Sequence, residues 1–175
     1  MTAVQVSDTN IDRRFSLGHE LWVMSQPVAS DFWIGGEQVK KTAASSVEVS
    51  WGEAISFANR LSQQLGLDSC YQIDQDEVWR WENENCTGYR LPTELELIQI
   101  QKAVQNTYNS ASLYEWAWDM YDSSWLWNMP KRNSNPRIDA VNIANPSHVR
   151  RSRESGRSSG DGGQAAFRLV RQIQD

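Results

Sequence analysis

Two cysteines, Cys70 and Cys86, and two histidines, His19 and His148, are the whole supply of thiolate and imidazole ligands in this 175-residue chain. A copper(I) site needs converging soft thiolates, and a facial-triad iron site needs two histidines and a carboxylate. Residues 87 to 175 contain no cysteine, and the histidines stand about 130 residues apart. Each histidine is therefore read as a surface or hydrogen-bonded residue. Serine, histidine and aspartate all occur, but no nucleophile-elbow motif marks a serine. No Walker-type glycine loop is present, and Gly160-Asp161-Gly162-Gly163, standing before a strand, reads as a turn. The chain is better supplied for recognition. Trp116, Trp118, Trp125 and Trp127 fall within a dozen residues, with Tyr114 and Tyr121 among them. Trp125 and Trp127 neighbour Ser123, Ser124 and Asn128, a polar setting that favours exposure. Rigid aromatics beside adaptable Ser, Asn, Gly and Arg have the composition of binding surfaces. Arg150, Arg151, Arg153 and Arg157 supply a candidate charged rim; a solvated loop without a ligand is the plainer alternative.

The elements that must carry these residues follow from local patterning. Ser50 with Glu53, and Thr93 with Glu96, have capping-box spacing. After the first box, Ala54, Phe57, Ala58, Leu61 and Leu65 recur at helical spacing until Gly66 stops the helix. After the second, Leu95, Leu97, Ile98, Ile100 and Val104 cover a broad apolar face, predicting a helix over about 93–105. Tyr114 to Asp119 alternates aromatic and polar residues, which suits a half-buried strand. Trp79 and Trp81, two apart, are expected on one face of a strand. Residues 1–14 read as a polar lead-in, residues 15–49 as a strand and a short helix around Gly35-Gly36, and residues 15–175 as a single domain. From 128 to 165 only Ile138, Val141, Ile143 and Val149 anchor a long stretch without regular pattern, and such stretches are usually functional or mobile. These periodicities define an α+β, loop-rich chain.

Composition bounds the function. The length suffices for a core without staples, and nine tryptophans supply much of its volume, several expected half-buried. With no run of 18 apolar residues and a polar N-terminus, neither a membrane span nor a secretion signal is expected. That points to the cytoplasm or to carriage on a larger particle. The net charge of −5 is unevenly spread: residues 1–130 hold 8 Lys/Arg against 18 Asp/Glu, and residues 131–175 hold 9 against 4. The basic segment either faces an anionic partner or packs on the acidic body. Nucleic-acid binding is not expected of an acidic body with one basic loop region.

Gly88-Tyr89-Arg90-Leu91-Pro92-Thr93-Glu94-Leu95-Glu96 and Tyr114-Glu115-Trp116-Ala117-Trp118-Asp119 resemble the GYRLPTEAEWE and NVWEWVWD motifs of the formylglycine-generating-enzyme-like (sulfatase-modifying-factor) family. Val47 to Ala54 is similar to its PVxxVSWxDA segment, and Ala166-Phe167-Arg168-Leu169-Val170 to its closing GFRLV strand. Gly18-His19-Glu20-Leu21 is similar to its early EVT motif. The resemblance spans roughly residues 15–171. It implies a C-type-lectin-like fold, two helices around a small irregular antiparallel sheet with long loops, with Trp116 and Trp118 packed inward. Active members oxidise a substrate cysteine with copper held by two C-terminal cysteines, which this chain lacks. Arg137 to Asn142 stands where an RVxRGG-like strand would be. The oxidase activity is therefore expected to be missing, and a second, iron-using branch lacks its histidines here. Members also carry a cysteine pair ahead of the first motif, matched by Cys70 and Cys86. Closing that loop would give about 3 kcal/mol in the chain-entropy model, whereas a reducing cytosol would leave two thiols. Calcium-binding members use a carboxylate matched by Glu115 and an Asn or Asp seven residues earlier. Here that residue is Tyr108, with Asn109 one place off. Glu115 is thus either a calcium ligand or the partner of an arginine or a backbone N–H.

The resulting expectation is a non-catalytic binding or display module, a pseudoenzyme whose surface at about 125–165 meets a protein or glycan ligand through Trp125, Trp127, Asn128, Arg150, Arg151, Arg153 and Arg157. Phage and bacterial proteins of this fold include receptor-binding and sequence-diversified members, in which the C-terminal part varies ahead of a fixed FRLV-like strand. The alternatives are a divergent enzyme or enzyme accessory, and a decoration protein whose basic loops pack in an oligomer.

Overall fold

The computed structural model describes residues 2–4, 21–33, 40–41, 46–73, 78–81, 85–103, 113–121, 141–142, 148–152, 156–160 and 163–173. Both helices start where their capping boxes stand. The Ser50 hydroxyl accepts from the Glu53 N–H at 3.3 Å, and Glu53 accepts from the Ser50 N–H at 2.7 Å. This opens α1, Trp51–Gln64, which buries Trp51, Ala54, Ile55, Phe57, Ala58, Leu61 and Ser62. Leu65, counted with the apolar stripe in the sequence, is 56% exposed because the helix ends there and Gly66 takes a left-handed φ of 68°. The second box is built alike, Thr93 accepting from the Glu96 N–H and Glu96 from the Thr93 N–H. It opens α2, Glu94–Ala103. This helix is buried on far more than its apolar stripe: Glu94, Glu96, Gln99 and Gln101 are buried with Leu95, Leu97 and Ile100. Burying charge demands partners. Arg90 supplies one, laying both terminal nitrogens on Glu96 at 2.7 Å while its guanidinium lies 4.6 Å above Trp81.

Eleven short strands are described. β1 (Thr2–Val4), β2 (Leu21–Val23) and β11 (Val170–Gln172) form an antiparallel sheet with β2 central. β3 (Lys40–Lys41) pairs with β4 (Val47–Glu48), and β6 (Val78–Arg80) lies between β5 (Gln72–Ile73) and β8 (Val141–Asn142). β7 (Glu115–Met120), β9 (His148–Ser152) and β10 (Gly156–Ser159) make the last sheet, with β9 central. The expected strand at 114–119 is β7, but it is buried on both faces over its first four residues rather than half-buried, because α2 and β9 cover the face of Ala117 while the core covers that of Trp116 and Trp118. The closing strand falls later than the motif places it. Ala165 and Ala166 make isolated bridges to Val49 and Glu115, and continuous pairing with β2 begins only at Val170. The short helix expected within 15–49 is absent among the described residues there, which form β2, β3, β4 and turns; Gly35-Gly36 lies outside them. Trp79 lies in β6 in register with Ile73 and Val141, while Trp81 follows the strand and is fully buried.

The core sits between α1 and the inner face of β7. Trp51, Trp81, Trp116 and Trp118 are buried with Tyr71, Phe57 and Phe167. Tyr71 stacks on Trp118 at 4.8 Å, and Trp81 meets Trp118 edge-on at 5.9 Å. Burial obliges the indole N–H groups to find acceptors. Trp51 donates to the Ala117 carbonyl at 3.0 Å and Trp116 to the Val49 carbonyl at 2.7 Å. The inward packing expected of Trp116 and Trp118 is what the structure has; four indoles are fully buried, while Trp33 is half-buried and Trp22 is 37% exposed. Cys70 and Cys86, both buried, form a disulfide with Cα atoms 5.3 Å apart.

Candidate functional site

The arginine-rich C-terminal segment is carried by the β9–β10 hairpin, which hangs on β7. Trp116 pairs with Arg150 and Arg150 with Ser158; Glu115 pairs with Arg151 and Arg151 with Arg157. Strand alternation sends these two ladders to opposite faces. On one face Val149 packs with Leu97 of α2 and Ala117 of β7. There Arg151 donates to Glu94 at 3.3 Å, and Gln101 donates to the Arg151 carbonyl at 3.3 Å. Arg151 is therefore drawn against α2 as a staple, although the sequence placed it in the rim. On the other face, at the edge of the core, the Arg150 guanidinium lies 5.1 Å from the centre of the Tyr114 ring. Arg157 occupies its register position in β10, while Arg153, Trp125, Trp127 and Asn128 lie outside the described residues. Sequence reasoning did not select Tyr114, whose signal was its spacing of two from Trp116 at the strand entrance.

Of the readings of Glu115, the structure shows the arginine partner. Its carboxylate accepts from Arg168 Nε at 2.5 Å and Nη2 at 2.8 Å, and Arg168 Nη1 donates to the carbonyls of Met24 and Ser25. Calcium takes six to eight oxygen ligands. Here both Glu115 oxygens already face a guanidinium, so the donor set at Glu115 does not fit a divalent cation. Asn109 lies outside the described residues. Among the described residues no three His, Cys, Asp or Glu side chains gather in a metal-holding group. Of the C-terminal basic residues, Arg151 and Arg168 are thus neutralised by carboxylates of the acidic body.

Two titratable groups sit at the base of the hairpin, His148 at the start of β9 and Asp119 in β7. His148 is fully buried, stacked 3.6 Å from Trp51 with nearly parallel rings, and its Nδ1 donates to the Trp118 carbonyl at 3.3 Å. Its Nε2 has no partner among the described residues. Burial disfavours the imidazolium and lowers the pKa to about 4. Asp119, at the end of β7, accepts from the Glu94 N–H at 2.5 Å. Burial pushes its pKa up to about 7 against the pull of that N–H, with the Glu94 and Glu96 charges adding to the rise. The two shifts oppose each other. Folded Asp119 holds a proton that the unfolded chain releases, so its contribution is lost as pH rises from about 4 towards 7. Folded His148 refuses a proton that the unfolded chain binds, so its penalty is relieved as pH rises from about 4 to 6.5. Asp119→Asn keeps an acceptor for Glu94 and removes the falling contribution. Its unfolding free energy should climb with pH more steeply than the wild type's, by up to one proton or about 1.4 kcal/mol per pH unit. Denaturant titrations across that window check this, and equal slopes for the two proteins would refute the assignment.

Two helices against small antiparallel sheets, closed by a C-terminal segment bridging Val49, Arg90 and Glu115, place the chain in the C-type-lectin-like class of α+β folds. Among solved structures it is similar to Treponema denticola variable protein 1, with 20% sequence identity and a TM-score of 0.56, over 99% of this chain and 94% of that one. No protein-family model and no curated protein matches the chain. The structural likeness carries the fold, while the resemblance to formylglycine-generating enzymes rests on the sequence motifs. No helix among the described residues is long and apolar enough to cross a membrane.

Proposed function

We propose that the protein is a non-catalytic binding module of the variable-protein kind, which presents the surface around residues 125–165 to a protein or glycan ligand. The observation that carries this reading is the mounting of the β9–β10 hairpin. It is fixed from below by β7 and pinned to α2 through Arg151–Glu94, while Arg150 stays at the edge of the core. Loops on a rigid scaffold are where binding residues concentrate. The likeness to a variable protein supports the same reading, as does a C-terminal half without cysteine. Carriage on a particle or export, rather than residence in a reducing cytosol, agrees with the buried disulfide.

Glycan and protein arrays probed with the wild type and with a Trp125→Ala/Trp127→Ala variant test the surface. The wild type should select a discrete set of ligands, and the variant should lose roughly tenfold or more in affinity, as truncation of aromatic anchors does. Unchanged binding by the variant would remove residues 125–128 from the surface.

A further inference from the structure

Arg150 differs from the three arginines whose carboxylate partners the structure shows. Arg90, Arg151 and Arg168 each hold a carboxylate, Glu96, Glu94 and Glu115 respectively. Arg150 holds none among the described residues. Its guanidinium rests on the Tyr114 ring, its Nε is sealed from solvent without a hydrogen-bond partner, and the residue as a whole stays partly exposed. The surroundings also hold the side chain in place. A Cβ at Gly163 would come within 3.0 Å of Arg150 Nη1, so the guanidinium fills space that glycine leaves. The Gly163 N–H donates to the Gly160 carbonyl and the Gly160 N–H to the His148 carbonyl, clipping this turn to the start of β9. Gly160 lies against the Trp116 ring with no room for a side chain. Ser158 faces Arg150 from β10.

Building on the binding-module reading above, we propose that Arg150, laid over Tyr114 and backed by Gly163, is the anchor for a carboxylate on a protein ligand. A guanidinium fork fits a carboxylate bidentately, and a fork already immobilised on an aromatic face loses little freedom on binding. The ring also strengthens the cation's hold at the surface without neutralising its charge. Charge complementarity favours a protein with several acidic side chains over a sugar acid. Residues 131–175 carry 9 Lys/Arg against 4 Asp/Glu, and 7 against 4 once Arg151 and Arg168, already paired with Glu94 and Glu115, are set aside. Steered approach by such a field and docking of one carboxylate on Arg150 are complementary parts of one interface.

The test uses the full chain and panels of short acidic peptides, each beside its Asn/Gln twin, with sialylated and uronate oligosaccharides as a second panel, read by biolayer interferometry. The wild type should bind acidic peptides and not their amide twins. Arg150→Gln should weaken that binding roughly 30-fold or more, and Arg150→Lys, which keeps charge but not the fork, by about tenfold. Arg60→Gln, on an exposed position of α1, should change it by less than about twofold. Thermal melts confirm that each variant is folded, and the lysine variant decides the matter if the glutamine variant is not. Equal losses for the Arg150 and Arg60 variants would overturn the anchor and leave the binding module standing. Arg150-dependent binding of the oligosaccharides alone would overturn the protein ligand. No binding by the wild type on either panel would overturn both readings together.

Discussion

Glu115→Ala should destabilise the protein by about 3–5 kcal/mol, the usual result of removing one partner from a buried ion pair. The loss exceeds that of the contact itself because Arg168 stays behind. Its guanidinium is 1% exposed at the side chain, and Glu115 is the only carboxylate it meets among the described residues. The remaining donors go to the Met24 and Ser25 carbonyls, so Arg168 ties β7 to the segment after β2 as well as to the closing segment. Gln101 of α2 also donates to Glu115, at 3.5 Å. Replacing both partners, as Glu115→Leu/Arg168→Met, should recover most of the loss, since a well-packed apolar pair avoids the desolvation that the ions incur. Guanidinium unfolding of the wild type, Glu115→Leu, Arg168→Met and the double variant, a double-mutant cycle, measures the coupling. A single-variant loss below about 1 kcal/mol would mean that the pair behaves as a surface bridge. Repeated with calcium present, the same cycle should give the same coupling, as a structural ion pair between Glu115 and Arg168 requires.

Breaking the Cys70–Cys86 bond should cost about 3 kcal/mol, the chain-entropy value for a loop of this size, given the separation of 16 residues. The bond does more than shorten the unfolded chain. It joins the turn after α1 to the loop that leads into Arg90, and several hydrogen bonds depend on that approach. The Asp68 N–H donates to Thr87 at 2.9 Å, and the Tyr89 N–H donates to Ser62 of α1 at 2.8 Å. Gly88 between them lies against the Asp68 carbonyl with no room for a Cβ. Two residues on, Arg90 takes Glu96, so loosening this loop also loosens the entry to α2. A Cys70→Ser/Cys86→Ser variant, and the wild type in reductant, should shift to lower denaturant midpoints by similar amounts. Equal midpoints for oxidised and reduced protein, or two thiols titrating in the native oxidised protein, would contradict this account. A bond of this value also favours maturation where disulfides persist.

The helix starts were readable because their determinants are three residues apart. Ser50 and Glu53, like Thr93 and Glu96, satisfy each other within one turn whatever the rest of the chain does. Trp116 and Trp118 were readable because strand alternation is also local, and their motif carries the same inward reading. The burial of Glu94, Glu96 and Gln101 was not readable. A pattern of polar residues on a helix normally marks its solvent face, and only the arrival of Arg90, Arg151 and Glu115 makes their burial tolerable. Which arginine would meet Glu115 was not readable for the same reason, since Arg168 stands 53 residues away. Of the expected binding residues, Trp125, Trp127, Asn128 and Arg153 lie outside the described residues. Arg150 and Arg151 were named as equals although the fold treats them oppositely.

By itself the amino-acid sequence determined the two capped helices, the aromatic strand, the want of thiolates in the C-terminal half and the α+β class, because each depends on residue identity or on spacings within a turn or a strand. The tertiary structure alone decided that Arg90, Arg151 and Arg168 are spent on carboxylates while Arg150 rests on a tyrosine face, that the cysteines meet, and that His148 is buried against Trp51 at the start of β9. Those outcomes depend on which distant segments share a low-dielectric interior, where an ion without its partner is too costly to keep.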